Sequence, residues 1–298
     1  YVLARNIDGT DVSNASQDMK DYICNWDDFM KAINNHDVIP AFGNKPDENL
    51  KSYFQHGIIH YGESFNTCFN IVSRLLNQVK KSENTPILSV VLEGHAYTGK
   101  TAIAAKLAHS SGFPYIRMVT PDMFIGMSSN EICNKLRTIF TDSYKSNLAT
   151  IIIDDIERII GYTPAGPRFD VNILQTLMVM IRKPPPAGCR LFVMATTSIS
   201  HQLEDLGLMD AFSVQQHISQ LQHSDEIKLV LEKISEKSEV KSISPAEIDS
   251  ISSAITSPIG IKQLLETLEM AQSEANSEDG DGEVSAALFL SCLHVRGF

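Results

Sequence analysis

The chain of 298 residues is 43% hydrophobic and carries a formal net charge of −11, so it can bury one large hydrophobic core or two modest ones. The acidic balance argues against a nucleic-acid-binding protein, because duplex binding depends on Lys and Arg side chains that neutralise phosphates. No apolar run approaches about 18 residues and no secretory leader pattern begins the chain, which predicts no membrane insertion. The five cysteines form no C-x-x-C pair, which argues against a zinc site or a disulfide framework and favours a reducing, cytoplasmic location.

The chain begins at Tyr1 without an initiator Met, so we expect it to be a piece of a longer protein. Residues 1–7 resemble the end of a helix, residues 8–17 have the composition of a linker, and residues 26–34 predict a short amphipathic helix. Residues 1–40 are therefore assigned to a linker. Two further helices are predicted at residues 50–57 and, with a clear apolar row, at residues 65–80.

The strongest motif occupies residues 94–101, which follow an apolar strand and precede a good helix former. Its pattern is G-x-x-x-x-G-K-[ST], the phosphate loop, in which Gly94 and Gly99 let backbone N–H groups point at phosphate oxygens. Lys100 would reach the β- and γ-phosphates, and the Thr101 hydroxyl would help to hold Mg²⁺. The predicted ATP-binding residues here are Gly94, Ala96, Tyr97, Thr98, Gly99, Lys100, Thr101, Ala102 and Ile103.

Strands and helices alternate from residue 87 onwards, with the strands almost continuously apolar. This pattern predicts an α/β fold with a parallel five-stranded sheet covered by helices on both faces. The strands are predicted at residues 87–93, 114–119, 149–154, 190–196 and 213–218, and helices between them at residues 101–110, 130–143 and 171–182. Only helices follow, at residues 225–237, 245–256, 259–272 and 284–295, with an acidic loop at 273–283. We therefore expect a nucleotide-binding core at residues 41–223 and a helical lid at 224–298.

A second phosphate-site element is the buried strand that ends in Asp154 and Asp155. Asp154 is expected to bind Mg²⁺ through water, although an Asp at a strand end can also cap the helix that follows. Asp155 takes the place where ATPases carry a water-polarising Glu. Because Asp is one methylene shorter, about 1.5 Å, we expect Asp155 to be a poor catalytic base.

These elements together resemble the AAA family of ATPases. Within that family, the chain is similar from about residue 26 to residue 269 to the second ATPase domain of the N-ethylmaleimide-sensitive factor group. The similarity is carried by PAFG at 40–43, GIIHYG at 57–62, DDIER at 154–158, GPRF at 166–169 and GIK at 260–262. It implies a homo-hexamer that, in the full-length protein, disassembles SNARE complexes through a SNAP-type adaptor. Residues 1–7 would then end the lid of a preceding domain.

The resemblance also implies roles for single residues. Gly57, Ile58, Ile59, His60 and Tyr61 would wrap the adenine of ATP, although this segment could equally be ordinary core. Thr197 occupies the position of a polar residue that contacts the γ-phosphate or the attacking water, where the family usually carries Asn; a Thr there can also simply satisfy a turn. Lys262 matches a lid cation that reaches the γ-phosphate, although a lone helical Lys is commonly a solvated residue. The implied catalytic residues are Asp155, Thr197 and Lys262.

The sequence further suggests that hydrolysis is slow. No Lys or Arg lies between Leu191 and Ser224, where active relatives place arginine fingers, each worth about 10³–10⁵ in rate. Arg168 either reaches across a subunit interface or is plain surface charge. Phe124 either grips a threaded polypeptide in a pore or packs at a helix start.

Three functions therefore stay open at this point. The first is an ATP-binding domain that stabilises a hexameric ring and hydrolyses ATP slowly. The second is an autonomous motor that threads polypeptide through its pore. The third is an unrelated phosphate-loop enzyme such as a small-molecule kinase or a GTPase. The helical lid disfavours it, and so does the sequence after the phosphate loop, where no guanine-reading N-K-x-D string occurs.

Overall fold

The computed structural model describes residues 50–55, 57–82, 84–164, 168–237, 243–277 and 284–296. Backbone contacts group residues 46–298 into one compact unit. The helices and linker predicted within residues 1–40 lie outside the described residues. Of the helix predicted at residues 50–57, residues 50–51 are α-helical and Ser52–Phe54 form a 3₁₀ turn.

The core of the unit, among the described residues, is a parallel sheet of five strands. They are β1 (Ile87–Glu93), β2 (Tyr115–Val119), β3 (Leu148–Ile153), β4 (Arg190–Thr197) and β5 (Val214–His217). Their order across the sheet is β2-β3-β4-β1-β5. Their apolar sequences arise because a parallel sheet is covered on both faces. The predicted α/β fold is therefore confirmed, with strand boundaries within one residue of those predicted.

Helices pack on both faces of this sheet. They are α1 (Glu63–Lys81), α2 (Lys100–Ser111), α3 (Ser129–Ser143), α4 (Ile156–Ile159), α5 (Val171–Arg182) and α6 (Ser200–Asp205). Alternate strand residues face opposite ways, so Ile152 joins the hydrophobic core that includes α1 and α2. Its neighbours Ile151 and Ile153 join the core that includes α3 and α5.

Within the described residues, four helices follow the sheet: α7 (Ser224–Lys237), α8 (Pro245–Ala254), α9 (Ile261–Ser277) and α10 (Ala286–Val295). Their buried residues continue the core of α1 and α2, and we call these four helices the lid. Two backbone hydrogen bonds between Leu221 and Ile259, at 2.9 and 3.0 Å, join the segment after β5 to the segment before α9.

The ends of the lid helices differ from the predicted ones by up to two residues, and by five residues at the end of α9. Residues 273–277, predicted as loop, are the last part of α9. Ala275 is buried there, and the Cys292 thiol donates to Glu274 Oε2 at 3.4 Å, so contacts with α10 extend a helix that the local polar composition disfavours. Among the described residues, no helix has the length and hydropathy that crossing a bilayer requires.

Candidate nucleotide site

The phosphate loop connects the end of β1 to the start of α2, as its sequence predicts. Gly94 has φ +145°, and a Cβ atom there would lie 2.2 Å from the carbonyl oxygen of Ile218, so no larger residue fits. Gly99 has φ +87° and precedes the first residue of α2. Glycine alone adopts both conformations without strain, and the helix N-terminus adds the partial positive charge that favours phosphate.

Lys100 is the buried cation of the loop, with 6% of its surface exposed. Its ammonium group donates to the carbonyl oxygens of Gly94 at 2.8 Å and His95 at 2.6 Å. Burial lowers the pKa of Lys100, while the carboxylates of Glu157, Asp155 and Asp154 oppose that shift. The ammonium group is thus held inside the loop by bonds that phosphate oxygens can replace.

The other predicted loop residues divide between the tip and the base of the loop. His95, Ala96 and Tyr97 are exposed at the tip. Thr98 is buried and its hydroxyl donates to His95 O at 2.9 Å. Ala102 and Ile103 belong to the first turn of α2, where Ile103 N–H donates to Gly99 O at 3.0 Å.

Asp154 lies directly after β3 and gathers two hydroxyl groups around one carboxylate oxygen. Its Oδ1 accepts from Thr101 Oγ1 and from Thr196 Oγ1, both at 2.7 Å. Burial raises the pKa of Asp154, and the two hydroxyl donors oppose that shift. A carboxylate beside a hydroxyl at the foot of a phosphate loop suits Mg²⁺, which prefers hard oxygen ligands and binds through few protein groups and retained waters. Thr101 and Asp154 would hold the ion, which would supply positive charge to the β- and γ-phosphate oxygens.

Thr196 is a site residue that the sequence analysis missed. Besides donating to Asp154, its hydroxyl oxygen accepts from the backbone N–H of Asp155 at 2.9 Å, so it fixes the turn that carries both carboxylates. One signal for it was present in the sequence. Thr196 and Thr197 are successive residues of one strand, so their side chains point to opposite faces of the sheet. Which of the two reaches Asp154 depends on the register between β3 and β4, which the sequence alone does not reveal.

Asp155 and Glu157, at the start of α4, occupy different environments. Asp155 adopts a left-handed backbone with φ +46°. Its side chain is 36% exposed, and its Oδ2 lies 3.6 Å from Arg158 Nε. Glu157, which the sequence analysis did not select, is buried, and its Oε1 accepts from the backbone N–H of Ser198 at 2.9 Å. Burial raises the pKa of Glu157.

Thr197, the predicted contact to the γ-phosphate or water, is completely buried at the end of β4. Its hydroxyl oxygen accepts from Ile199 N–H at 3.1 Å, and its side chain opposes the rise in the pKa of Glu157. Thr197 therefore lies at the predicted edge of the sheet, with its hydroxyl oxygen engaged by the backbone. Its role toward nucleotide stays a prediction.

The predicted adenine segment, residues 57–61, has no regular secondary structure and lies between the 3₁₀ turn and α1. Ile59 and Tyr61 are buried, and the Tyr61 hydroxyl donates to Ser219 O at 3.1 Å. His60 is exposed, and its carbonyl oxygen accepts from Lys233 of α7 at 2.7 Å. The segment is thus held between α1 and the lid. Because its apolar side chains serve the core, its backbone groups are the ones suited to an adenine, and this role stays a prediction.

Lys262 lies in the first turn of α9 and meets the phosphate loop through its backbone. Its N–H donates to Tyr97 O at 3.0 Å. Its side chain is 62% exposed, with Nζ 3.8 Å from Glu266 Oε1. The predicted contact between this side chain and a γ-phosphate stays a prediction.

The pore hypothesis for Phe124 is not supported by its position. Phe124 is 6% exposed, and its ring packs under Lys135 Nζ, 5.6 Å from the ring centroid. The next residue, Ile125, is 82% exposed. The burial of Phe124 therefore favours the second interpretation of the sequence, in which this side chain packs at a helix start.

Comparisons with known proteins agree with this geometry. Residues 90–220 match the model of the ATPase family associated with various cellular activities (AAA). The chain is 36% identical over its full length to a vesicle-fusing ATPase of Dictyostelium discoideum, and 37% identical over 83% of its length to one of Caenorhabditis elegans. It is 32% identical over 93% of its length to the vesicular-fusion protein sec18 of Schizosaccharomyces pombe.

The chain covers 38%, 30% and 35%, respectively, of the length of these relatives. The matched residues 90–220 include the phosphate loop, Asp154 and the end of β4, while the similarity to the relatives extends through most of the chain. The fold, the loop and the similarity identify this chain as an ATPase domain of the AAA family, related to the vesicle-fusing ATPases.

Proposed function

We propose that this chain binds ATP with Mg²⁺ mainly to stabilise a hexameric ring, and that it hydrolyses ATP slowly. The observation that carries the proposal is the group formed by Lys100, Thr101 and Asp154. The Lys100 ammonium group lies inside the phosphate loop. Position 94 of that loop has no room for a residue larger than glycine. Thr101 and Asp154 are hydrogen-bonded at the foot of that loop, at 2.7 Å.

The surroundings of Asp155 support slow hydrolysis. Its side chain lies beside Arg158 and is partly exposed, whereas a water-polarising base must be held in register with the γ-phosphate. The segment between Leu191 and Ser224 contains no Lys or Arg. A neighbouring subunit therefore has no cation in this segment to place at the γ-phosphate. A domain with strong phosphate ligands and weak catalytic groups retains ATP, and a retained ligand stabilises the form that binds it.

The similarity to vesicle-fusing ATPases supports a role in the full-length protein. There, we propose, the ring supports disassembly of SNARE complexes through a SNAP-type adaptor, and so vesicle fusion and membrane traffic. We also propose that residues 41–223 form the nucleotide-binding core and residues 224–298 the lid, with a cytoplasmic location.

An autonomous threading motor is the alternative. The burial of Phe124 speaks against it, because a gripping aromatic must be exposed. The features that favour the motor are the exposed side chains of Ile125 and, two residues later, Met127, which is 38% exposed. A motor of this kind would turn over ATP rapidly, which separates the two proposals.

Replacing Lys100 tests the nucleotide site. We expect Lys100→Ala to weaken ATP·Mg²⁺ binding by about 10- to 100-fold, because hydrogen bonds to charged groups contribute about 1.5–3 kcal/mol. The measurement is titration calorimetry of the full chain. Lys145→Ala is the matched control, since Lys145 is an exposed residue paired with Asp142 at 2.7 Å. Circular dichroism confirms that both variants fold, and unchanged affinity in a folded Lys100→Ala protein would contradict the proposal.

A further inference from the structure

The first turn of α9 packs directly against the tip of the phosphate loop. The backbone N–H of Lys262 donates to Tyr97 O at 3.0 Å. Beside this bond, Ile261 Cγ2 lies 3.5 Å from the position that a Cβ atom on Gly99 would take. The lid and the loop therefore touch directly, through a backbone hydrogen bond.

Gly260 makes this approach possible. A Cβ atom on Gly260 would lie 2.8 Å from Tyr97 Cβ, 2.9 Å from Tyr97 O and 3.0 Å from Tyr97 C. These neighbours are the main chain and the first side-chain atom of Tyr97, so no rotamer change can relieve the contact. The fit of the lid against the loop thus requires glycine at this position, whatever its φ.

Tyr97 is in turn held in a conformation that its residue type disfavours. Its φ is +67°, in the left-handed region that is strained for a non-glycine residue. Its side chain is 49% exposed, so packing of the ring contributes little to holding it. The hydrogen bond from Lys262 and the close contact with Gly260 are the interactions of Tyr97 that lie on the lid side.

We propose that Gly260 and the Lys262 amide are positioning groups that keep the phosphate loop in its binding shape, so that loop shape and lid position form one equilibrium. A carbonyl oxygen turned toward bound phosphate would repel it, and the lid engages the Tyr97 carbonyl with an N–H donor. Rotation of the lid away from the sheet breaks this bond and frees Tyr97 to leave the left-handed region. Phosphate binding therefore favours the lid position seen in this structure. The inference rests on the proposed ATP binding.

The test uses the full chain with Gly260→Ala. In the nucleotide-free protein, we expect hydrogen exchange of the amides at the start of α9 to accelerate about 10-fold. We expect the affinity for ATP·Mg²⁺ to fall by a similar factor. The control is Gly188→Ala, because Gly188 has φ +87° with nothing within 4 Å of a Cβ atom. That variant acquires backbone strain alone and should leave both quantities at wild-type values.

The companion variant Tyr97→Gly separates a specific clash from general damage to α9. It removes the atom nearest to the Gly260 position and the strain of the left-handed conformation. In the double variant Tyr97→Gly/Gly260→Ala, we expect the affinity lost in Gly260→Ala to be partly recovered relative to Tyr97→Gly alone. If Gly260→Ala alone fails to fold, recovery of folding by the double variant carries the same test.

The outcomes separate this inference from the proposed function. Wild-type exchange and affinity in Gly260→Ala, or strictly additive losses in the double variant, would overturn the inference while ATP binding stands. A wild-type chain that fails to bind ATP·Mg²⁺ would overturn the proposed function and, with it, the nucleotide half of the inference. Accelerated exchange in nucleotide-free Gly260→Ala would still support the contact between lid and loop.

Discussion

At the level of single residues, the site places charged groups where solvent is largely excluded. Lys100, Asp154 and Glu157 each have less than a tenth of their surface exposed. Burial lowers the pKa of the Lys100 ammonium group and raises the pKa of both carboxyl groups. Each group is thus less stable in its charged form than it would be in water, and their mutual attraction only partly offsets this cost.

Glu157 gives this cost a measurable pH dependence. Because its pKa in the folded protein is raised, the folded chain binds more protons than the unfolded chain between the two pKa values, and stability falls as pH rises through that window. Glu157→Gln keeps an acceptor for Ser198 N–H but has no charge. We expect Glu157→Gln to gain stability relative to wild type, that is, a larger free energy of unfolding, as pH rises from 4.5 to neutrality, measured by urea denaturation.

Glu131→Gln is the control with the opposite sign. Hydrogen bonds from the backbone and side chain of Ser128 lower the pKa of Glu131, so its contribution to stability is present at neutral pH and is lost on acidification. This variant should therefore approach wild-type stability at low pH. Parallel curves for Glu157→Gln and wild type across the range would contradict the burial argument for Glu157.

The sequence predicts the parts of the site that are local in the chain and misses those that need the fold. Lys100 and Thr101 belong to one continuous motif, and Asp154 ends an apolar strand, so spacing and strand pattern suffice. Thr196 and Glu157 become site residues only through the register of β3 with β4 and the turn at Ser198. Their partners are about 40 positions away in sequence, beyond the reach of any periodicity.

At the level of single elements, the helix starts follow from capping chemistry. The Asp170 carboxylate accepts from the backbone N–H groups of Asn172 at 2.9 Å and Ile173 at 3.1 Å. It therefore satisfies two of the amides that the first turn of α5 leaves unpaired. The neighbouring Ser129 side chain of α3 and these two backbone amides lower the pKa of Asp170.

Removing this cap should destabilise the chain measurably. We expect Asp170→Ala to cost about 1 kcal/mol in the free energy of unfolding, the usual cost of losing a capping side chain. Asp170→Asn should lose much less, because it keeps an acceptor oxygen. Asp142→Ala removes an exposed carboxylate paired with Lys145 and should cost about 0.5 kcal/mol or less. Chemical denaturation compares the three, and equal losses in all of them would argue against the capping role.

For the molecule as a whole, the carboxyl ends of the parallel strands meet at one edge of the sheet, and the lid reaches that edge. The end of β1 leads into the phosphate loop, the end of β3 carries Asp154, and the end of β4 carries both Thr residues. The lid contributes the backbone contact to Tyr97. If lid position and loop shape form one equilibrium, as we propose, a change in the angle between lid and sheet would change the loop, and bound ATP would influence the proposed assembly.

Light scattering with simultaneous phosphate detection tests this route. We expect the nucleotide-free chain to be smaller than the chain with ATP·Mg²⁺, which should reach the mass of a ring while releasing little phosphate.

Lys100→Ala should abolish assembly, because it removes the buried cation of the loop. Lys262→Ala should also abolish it if the exposed Lys262 side chain turns from Glu266 toward the γ-phosphate. The Lys262→Ala protein would still assemble if only the backbone amide of Lys262 matters.

Rapid phosphate release by the wild-type chain would instead favour the motor. Asp155 would then have to serve as a base, and a cation outside residues 191–224, such as Arg168, would have to reach the neighbouring site.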